Sequence, residues 1–179
     1  MKTLDEAIEQ AVTKSNPHIT PAEKEHQIEM LRRTIEEGRT PTLEDLGLTR
    51  EMLNNLYVFT SRLYNSGKYE DASSVFAMLA LLDDKEFDYP FALASCHHML
   101  KQYSQAISNY MLAFNLDNTN PLPFYHIADC YMQMKKPVHA IHSFDLVEVI
   151  AKGQAKYNKI KERATLTRDR LIKEIESKI

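Results

Sequence analysis

Histidine is the side chain of this sequence whose number and placement most suggest chemistry. His139 and His142 are three residues apart, so on a helix they would share one face and could both bind a metal ion. No third ligand with a typical spacing accompanies this pair, although His126 and Asp129 lie a short distance upstream. We therefore expect no resident metal ion.

The two cysteines, Cys96 and Cys130, also lack the neighbours that catalysis would need. No serine, histidine and aspartate pattern typical of a hydrolase accompanies them. The four glycines do not fall into either of the phosphate-binding frames, GxGxxG and GxxxxGK. The sequence therefore predicts a protein that is not an enzyme and binds no cofactor, with both thiols reduced and buried between helices.

The composition is typical of an ordinary folded protein and argues against several classes. The chain has 179 residues, of which 44% are hydrophobic and 26% charged, and its formal net charge is −3. This balance does not favour nucleic-acid binding, and no apolar run is long enough to predict a membrane span. The first ten residues, MKTLDEAIEQ, carry three acids where a signal peptide would be apolar. We expect a cytoplasmic protein with neither a nucleic-acid nor a membrane partner.

A period of 34 residues runs through the middle of the chain, from residue 53 to residue 154. Small, aromatic and aliphatic residues recur there in the same order three times. In each copy an alanine is followed four residues later by an aromatic ring. The recurring positions are Thr60, Ala94 and Ala128; Ala72, Ala106 and Ala140; and Phe76, Tyr110 and Phe144.

This period is typical of paired antiparallel helices that stack side by side. The small residues allow two helix backbones to approach closely, and each ring lies one turn further along the same face, where it can fill the gap to the next hairpin. One hairpin cannot bury this face alone, so three must stack. The predicted fold is all-α: three tandem tetratricopeptide hairpins (53–86, 87–120 and 121–154) that form a concave right-handed solenoid.

Helix boundaries follow from the turn residues between the hairpins. First helices are predicted near 53–66, 88–101 and 121–134, and second helices near 69–82, 103–116 and 137–150. In the N-terminal segment, residues 1–52, Leu4, Ala7, Ile8, Ala11 and Val12 predict a short amphipathic helix. A capping box formed by Thr20 and Glu23 opens a second helix, which Gly38 closes. A short helical turn is predicted at residues 41–48.

The C-terminal segment, residues 155–179, carries 8 basic and 4 acidic side chains. Its apolar residues stand at helical spacing, so we predict one helix that caps the open end of the solenoid. Its basic face is either a solvated surface or a contact for an acidic partner.

The first helices of a tetratricopeptide stack line its inner groove, and the fold implies which positions face that groove. Those positions are mostly aromatic and aliphatic here, which suits peptide binding because tyrosine offers apolar area with a polar tip. The alternative is that the N-terminal segment of the same chain covers them. The predicted groove residues are Tyr57, Ser61, Tyr64, Asp88, Phe91, Ser95, His98, Leu122, Tyr125, Asp129 and Met132.

With the repeats placed, the chain resembles the tetratricopeptide chaperones of type III secretion that escort translocator proteins. The resemblance covers roughly residues 42–150. It rests on TLEDLGL at 42–48, LYNSGKYEDA at 63–72 and YHIADC at 125–130, together with three repeats between helical flanks. Ser61 departs from the family, in which a bulky aromatic residue is common at that position.

The resemblance implies a bacterial chaperone that keeps hydrophobic translocators soluble and competent for secretion. An extended N-terminal segment of the translocator would lie in the concave groove, with apolar anchors against Tyr57, Tyr64, Phe91 and Tyr125. It also implies a homodimer formed through residues 1–48, although that segment could instead dock on its own repeats. A general tetratricopeptide scaffold that joins other proteins is the alternative function.

Overall fold

The computed structural model of the chain describes Glu9, residues 12–13, residues 20–37 and residues 47–177. The predictions made for Leu4, Ala7, Ile8, Ala11 and Gly38 lie outside these residues, as does most of the turn predicted at 41–48. The chain divides into two compact units, Met1–Leu56 and Tyr57–Ile179. Every regular element within the described ranges is helical, and none of those helices is both long and apolar enough to cross a membrane.

The N-terminal unit contains helix α1, Pro21–Glu36. The predicted capping box is confirmed: the Thr20 N–H donates to Glu23 Oε2 at 3.0 Å, and the Glu23 N–H donates back to Thr20 Oγ1 at 3.4 Å. Val12 and Leu31 are buried together, with Ile28 packed against them. This small apolar cluster therefore joins α1 to the helical residues at 12–13.

Seven helices follow, and they form three hairpins and a C-terminal cap. The observed second helices match the predicted bounds, and the first helices differ by one to three residues at an end. The first hairpin is α2 (Arg50–Asn65) and α3 (Tyr69–Leu82), the second is α4 (Asp88–Met99) and α5 (Tyr103–Leu116), the third is α6 (Leu122–Gln133) and α7 (Pro137–Ile150), and a 3₁₀ turn (Ala155–Tyr157) leads into α8 (Asn158–Glu176).

The recurring small and aromatic residues pack as the period predicts, and the all-α tetratricopeptide fold is confirmed. The six small residues at the helix crossings have no solvent exposure, and the rings that follow the alanines are almost fully buried. Cys96 and Cys130 are also fully buried, and burial raises the pKa of each thiol to about 12. The core of the second unit therefore runs through successive hairpins rather than lying within any one of them.

The first hairpin differs from the others at one recurring position. Leu93 and Ile127 are 8% and 2% exposed, whereas Phe59, the corresponding residue of α2, is 54% exposed. The second and third hairpins each follow another hairpin that can cover this position, whereas the described residues before α2 form no such hairpin. Neighbouring Val58 is half exposed as well. An apolar patch thus remains at the start of the stack.

Helix α8 covers the other end of the stack, as the sequence predicts. Ala164 is fully buried, and Ile160 and Leu171 pack against the same core. The Arg168 guanidinium reaches back to α7, where its Nη1 lies 2.6 Å from Glu148 Oε2 and 3.1 Å from Asp145 Oδ1. The final hairpin is therefore closed by an apolar face and by ion pairs.

All three first helices end in the same turn, although only one of them uses glycine. Gly67, Lys101 and Lys135 each have a left-handed backbone, with φ of 81°, 61° and 57°. After α4, the Lys101 N–H donates to the carbonyl of His98 and the Gln102 N–H donates to that of His97, which is the Schellman pattern. The corresponding pair of bonds closes the other two helices, so the 34-residue register extends to the backbone of the turns.

Replacing Lys101 by glycine should stabilise the protein by about 0.5 to 1 kcal/mol. A left-handed non-glycine residue costs about 1 to 2 kcal/mol, which outweighs the extra freedom that glycine has in the unfolded chain. Urea denaturation followed by circular dichroism measures the difference. Gln102→Gly is the matched control. Gln102 has a φ of −87°, so glycine relieves no strain there and this variant should be less stable than the parent. If the Lys101→Gly variant were no more stable than the parent, the left-handed backbone of Lys101 would not be strained.

Candidate functional site: the groove of the first helices

A cavity of about 230 Å³ opens between the first and second hairpins of the second unit. It brings together five of the predicted groove residues, Tyr57, Ser61, Tyr64, Phe91 and Ser95. Sequence reasoning missed three further lining residues. Phe76 was assigned to the core by its period alone, and no pattern pointed to Asn65 or Ala92. The lining residues are Tyr57, Ser61, Tyr64, Asn65, Phe76, Phe91, Ala92 and Ser95.

Half of the residues that line the cavity are aromatic, and their rings pack against other rings. The ring of Tyr57 lies 5.6 Å from Phe76 and 5.8 Å from Tyr89. The ring of Tyr64 meets Tyr69 edge-on at 5.2 Å. Both lining tyrosines are half-buried, and burial is the first cause that raises the pKa of each phenol. Each therefore presents a fixed, neutral and largely apolar surface to an incoming group.

The two serines in the wall each donate their hydroxyl group within their own helix, and the Ser95 hydroxyl also lies 3.3 Å from the Tyr110 hydroxyl. The Ser61 hydroxyl donates to the backbone carbonyl of Tyr57 at 2.9 Å, and the Ser95 hydroxyl donates to that of Phe91 at 3.0 Å. These residues are 34 positions apart and repeat the same bond. Because each hydroxyl already has a backbone acceptor, the cavity can take an apolar group without leaving these donors unpaired.

Phe91 stands at the junction of the second and third hairpins. Its ring lies 5.3 Å from Tyr110 and 5.6 Å from His126, edge-on to both. Phe87 stacks on it at 5.3 Å. Phe91 is half-buried, so one side of the ring belongs to the core while the other lines the cavity. The core therefore fixes the position of this groove residue.

A cluster of polar groups lies beside Phe91, between α4 and α6. His98 Nε2 lies 2.9 Å from Asp129 Oδ2, and this hydrogen bond is the main reason that the pKa of Asp129 is lowered. The His126 ring stacks on Tyr110 at 5.3 Å. Burial, and then the nearby His98, lower the pKa of His126 to about 4. His126 is therefore a neutral ring in the wall of the stack at neutral pH.

The remaining predicted groove residues lie outside the cavity. Asp88 is exposed at the start of α4, and Leu122 and Met132 are half-buried on α6. Tyr125 packs edge-on against Phe144 at 6.0 Å, and the Arg163 guanidinium from α8 lies over its ring at 5.9 Å. The residues that the structure describes contain no group of three or more histidine, cysteine, aspartate or glutamate side chains placed to hold a metal ion.

Comparison with known proteins agrees with this architecture. The sequence model of the tetratricopeptide repeat matches residues 53–86 and 87–120. The chaperone protein SicA of Salmonella dublin is 30% identical over 125 residues, which cover 69% of this chain and 74% of SicA. Two crystal structures of the Yersinia enterocolitica type III secretion chaperone SycD are also similar to this chain.

The first of these structures is SycD in complex with a peptide of the translocator YopD. It has a TM-score of 0.67 and 25% identity, over 70% of this chain and 96% of the SycD chain. The second is an alternative dimer of SycD, with a TM-score of 0.68 and 26% identity, over 72% of this chain and 97% of the SycD chain.

The hairpins, their period and the groove of their first helices define a tetratricopeptide-repeat protein. Within that class, the chain belongs to the family of type III secretion translocator chaperones that includes SicA and SycD.

Proposed function

We propose that this chain is a cytoplasmic chaperone that binds a hydrophobic translocator of a bacterial type III secretion system. The observation that carries the proposal is the 230 Å³ cavity between the first two hairpins, an apolar site walled by half-buried rings. In the similar SycD structure, the chaperone is bound to a peptide of the translocator YopD. An extended N-terminal segment of the translocator would lie along the groove, with an apolar anchor in the cavity.

The proposed action is binding without bond chemistry. Tyr57, Tyr64 and Phe91 offer apolar surface that is already held in place, so little side-chain entropy is lost on binding. The hydroxyls of Ser61 and Ser95 remain bonded to their own helices. A bound translocator would keep its membrane-seeking segments away from other copies and would stay soluble until secretion. Residues further along the groove, such as Tyr125, would hold the rest of the segment.

Co-expression distinguishes a chaperone from a general scaffold. The translocators of the same secretion system would be produced in Escherichia coli with and without this chain, and the soluble fraction of each would be measured. A chaperone makes an otherwise insoluble translocator soluble, and the two co-purify. Co-purification with no gain in soluble translocator would instead support a scaffold, and the absence of both would contradict the proposal.

The proposal includes a homodimer formed through residues 1–48. Exposed Phe59 and Val58 at the start of the stack leave apolar surface of the kind that subunit contacts cover, and SycD itself has been crystallised as a dimer. The alternative is that residues 1–48 dock on the repeats of their own chain.

Light scattering of the full chain and of a shortened chain that begins at Thr49 tests the dimer. The shortened chain keeps the cap of α2, because the Met52 N–H donates to Thr49 Oγ1 at 3.2 Å. We expect the mass of two chains for the full protein and of one chain for the shortened form. Monomeric masses for both would contradict the dimer and support docking within one chain.

A further inference from the structure

The first end of the groove carries negative charge. Asp88 is exposed at the start of α4, and the ring of the next residue, Tyr89, lies 5.8 Å from the ring of Tyr57 in the cavity wall. The negative charge of Asp88 acts on Tyr57. Burial, and then the negative charges of Asp88 and Glu86, raise the pKa of the Tyr57 phenol. A cationic side chain of a bound peptide would be attracted to this end, and an acidic one would be repelled.

The other end of the groove carries positive charge from α8. The Arg163 guanidinium lies 5.9 Å from the centre of the Tyr125 ring, which occupies the position of Tyr57 and Phe91 in the third hairpin. Exposed Lys159 lies one turn before Arg163 on the same face of α8. Arg170, two turns beyond Arg163, is paired with Glu174, whose Oε1 lies 3.7 Å from its Nε. Arg163, with Lys159 one turn away, therefore supplies the positive charge at this end of the groove.

Arg163 is available to a partner in a way that its neighbour Arg168 is not. Arg168 is held by the carboxylates of Asp145, Glu148 and Asp169 at distances between 2.6 and 3.1 Å. Arg163 has no carboxylate within ion-pair distance among the residues that the structure describes, and it is exposed. The last helix thus uses one arginine to close the stack and leaves another beside the groove.

We infer that the groove is electrically polar and that this polarity sets the direction in which the cargo segment lies. Acidic residues that flank the apolar anchors lie at the Arg163 end, and basic residues lie at the Asp88 end. Apolar cavities alone distinguish the two directions of an extended peptide poorly, whereas like charges brought together at both ends disfavour the reversed direction. This inference rests on the proposed function, because it concerns the same groove.

Titration calorimetry with two forms of the YopD peptide tests the direction. One form carries two glutamates added at its N-terminus and two lysines at its C-terminus, and the other carries the same additions exchanged. We expect the protein to bind one form about fivefold more tightly than the other at low salt, because partly exposed charge pairs are each worth up to about 1 kcal/mol. Equal affinities would overturn the inference.

Charge reversal identifies the groups that cause the preference. Arg163→Glu should reduce the ratio of the two affinities to less than about twofold, and the double variant Arg163→Glu, Asp88→Lys should invert it. Lys161→Glu is the matched control: it makes the same change two residues away on the same helix, where the side chain points away from Arg163, and should keep the parental ratio. An equal loss of preference in the Lys161 and Arg163 variants would overturn the assignment to Arg163.

The same titrations separate this inference from the function on which it rests. Binding of both peptide forms with equal affinity overturns the polarity and leaves the groove as the cargo site. Failure of the parent protein to bind either form overturns the groove as a translocator site, and the polarity with it. Circular dichroism of each variant verifies that the helices remain, as expected because Asp88 and Arg163 are exposed and Lys161 is only half-buried.

Discussion

Phe91→Ala should weaken the binding of a translocator segment by about thirtyfold or more, which corresponds to about 2 kcal/mol. Binding energy concentrates on aromatic residues in well-packed pockets, and Phe91 forms part of the cavity wall while the core holds its other side. Tyr57→Ala should have a similar effect. Binding should depend only mildly on salt, since apolar contacts dominate it.

Because Phe91 also packs against the core, its substitution needs a control that separates binding from folding. Phe87→Ala makes the same change one turn earlier, at a ring that stacks on Phe91 but does not line the cavity. Titration calorimetry with the YopD peptide should show a much smaller loss for Phe87→Ala. Unchanged affinity in both the Tyr57 and the Phe91 variants would remove the groove assignment. Loss of affinity together with loss of helicity would show that these rings serve the core instead.

Lowering the pH from 7 to 4 should destabilise the protein by about 3 kcal/mol through His126 alone. Burial lowers the pKa of this imidazole from 6.5 to about 4, so the unfolded chain binds a proton that the folded chain does not. The contribution of neutral His126 to the free energy of unfolding is therefore fully present above about pH 6.5 and is lost as the pH falls towards 4. Each unit of pKa difference is worth about 1.4 kcal/mol. The charged neighbours that act on the pKa of His126 are His98, which lowers it further, and Asp129, which raises it.

Chemical denaturation at a series of pH values measures this dependence. A His126→Gln variant should lose most of the dependence between pH 6.5 and 4, whatever its stability at pH 7. The control is His142→Gln, which removes an exposed histidine from α7 and should leave the dependence as in the parent. If the parent and the His126→Gln variant lost the same stability over this range, His126 would not be the group responsible.

The sequence was sufficient for the features that depend on periodic burial. A small residue at each helix crossing and a ring one turn later determine how hairpins stack, so the 34-residue register placed the second helices and the two cysteines correctly. The capping box could also be predicted, because it depends on local hydrogen bonds between Thr20 and Glu23.

Features that depend on a particular neighbour could not be predicted in this way. The left-handed turns at Lys101 and Lys135 use a residue type that gives no signal for such a turn, and only their register with Gly67 points to them. The exposure of Phe59 depends on what precedes α2, where the described residues form no further hairpin. The approach of Arg163 to Tyr125 depends on the path of α8 after the repeats, which no period describes.

The buried thiols of Cys96 and Cys130 give each of the last two hairpins its own chemical probe of local opening. The thiolate is the reactive form, and a thiol with a pKa near 12 inside the stack is almost entirely protonated and shielded from reagents at pH 8. An alkylating reagent can reach either cysteine only when its hairpin opens. The labelling rate of each one therefore reports the opening of a single repeat, and cargo that holds the stack together would slow both rates.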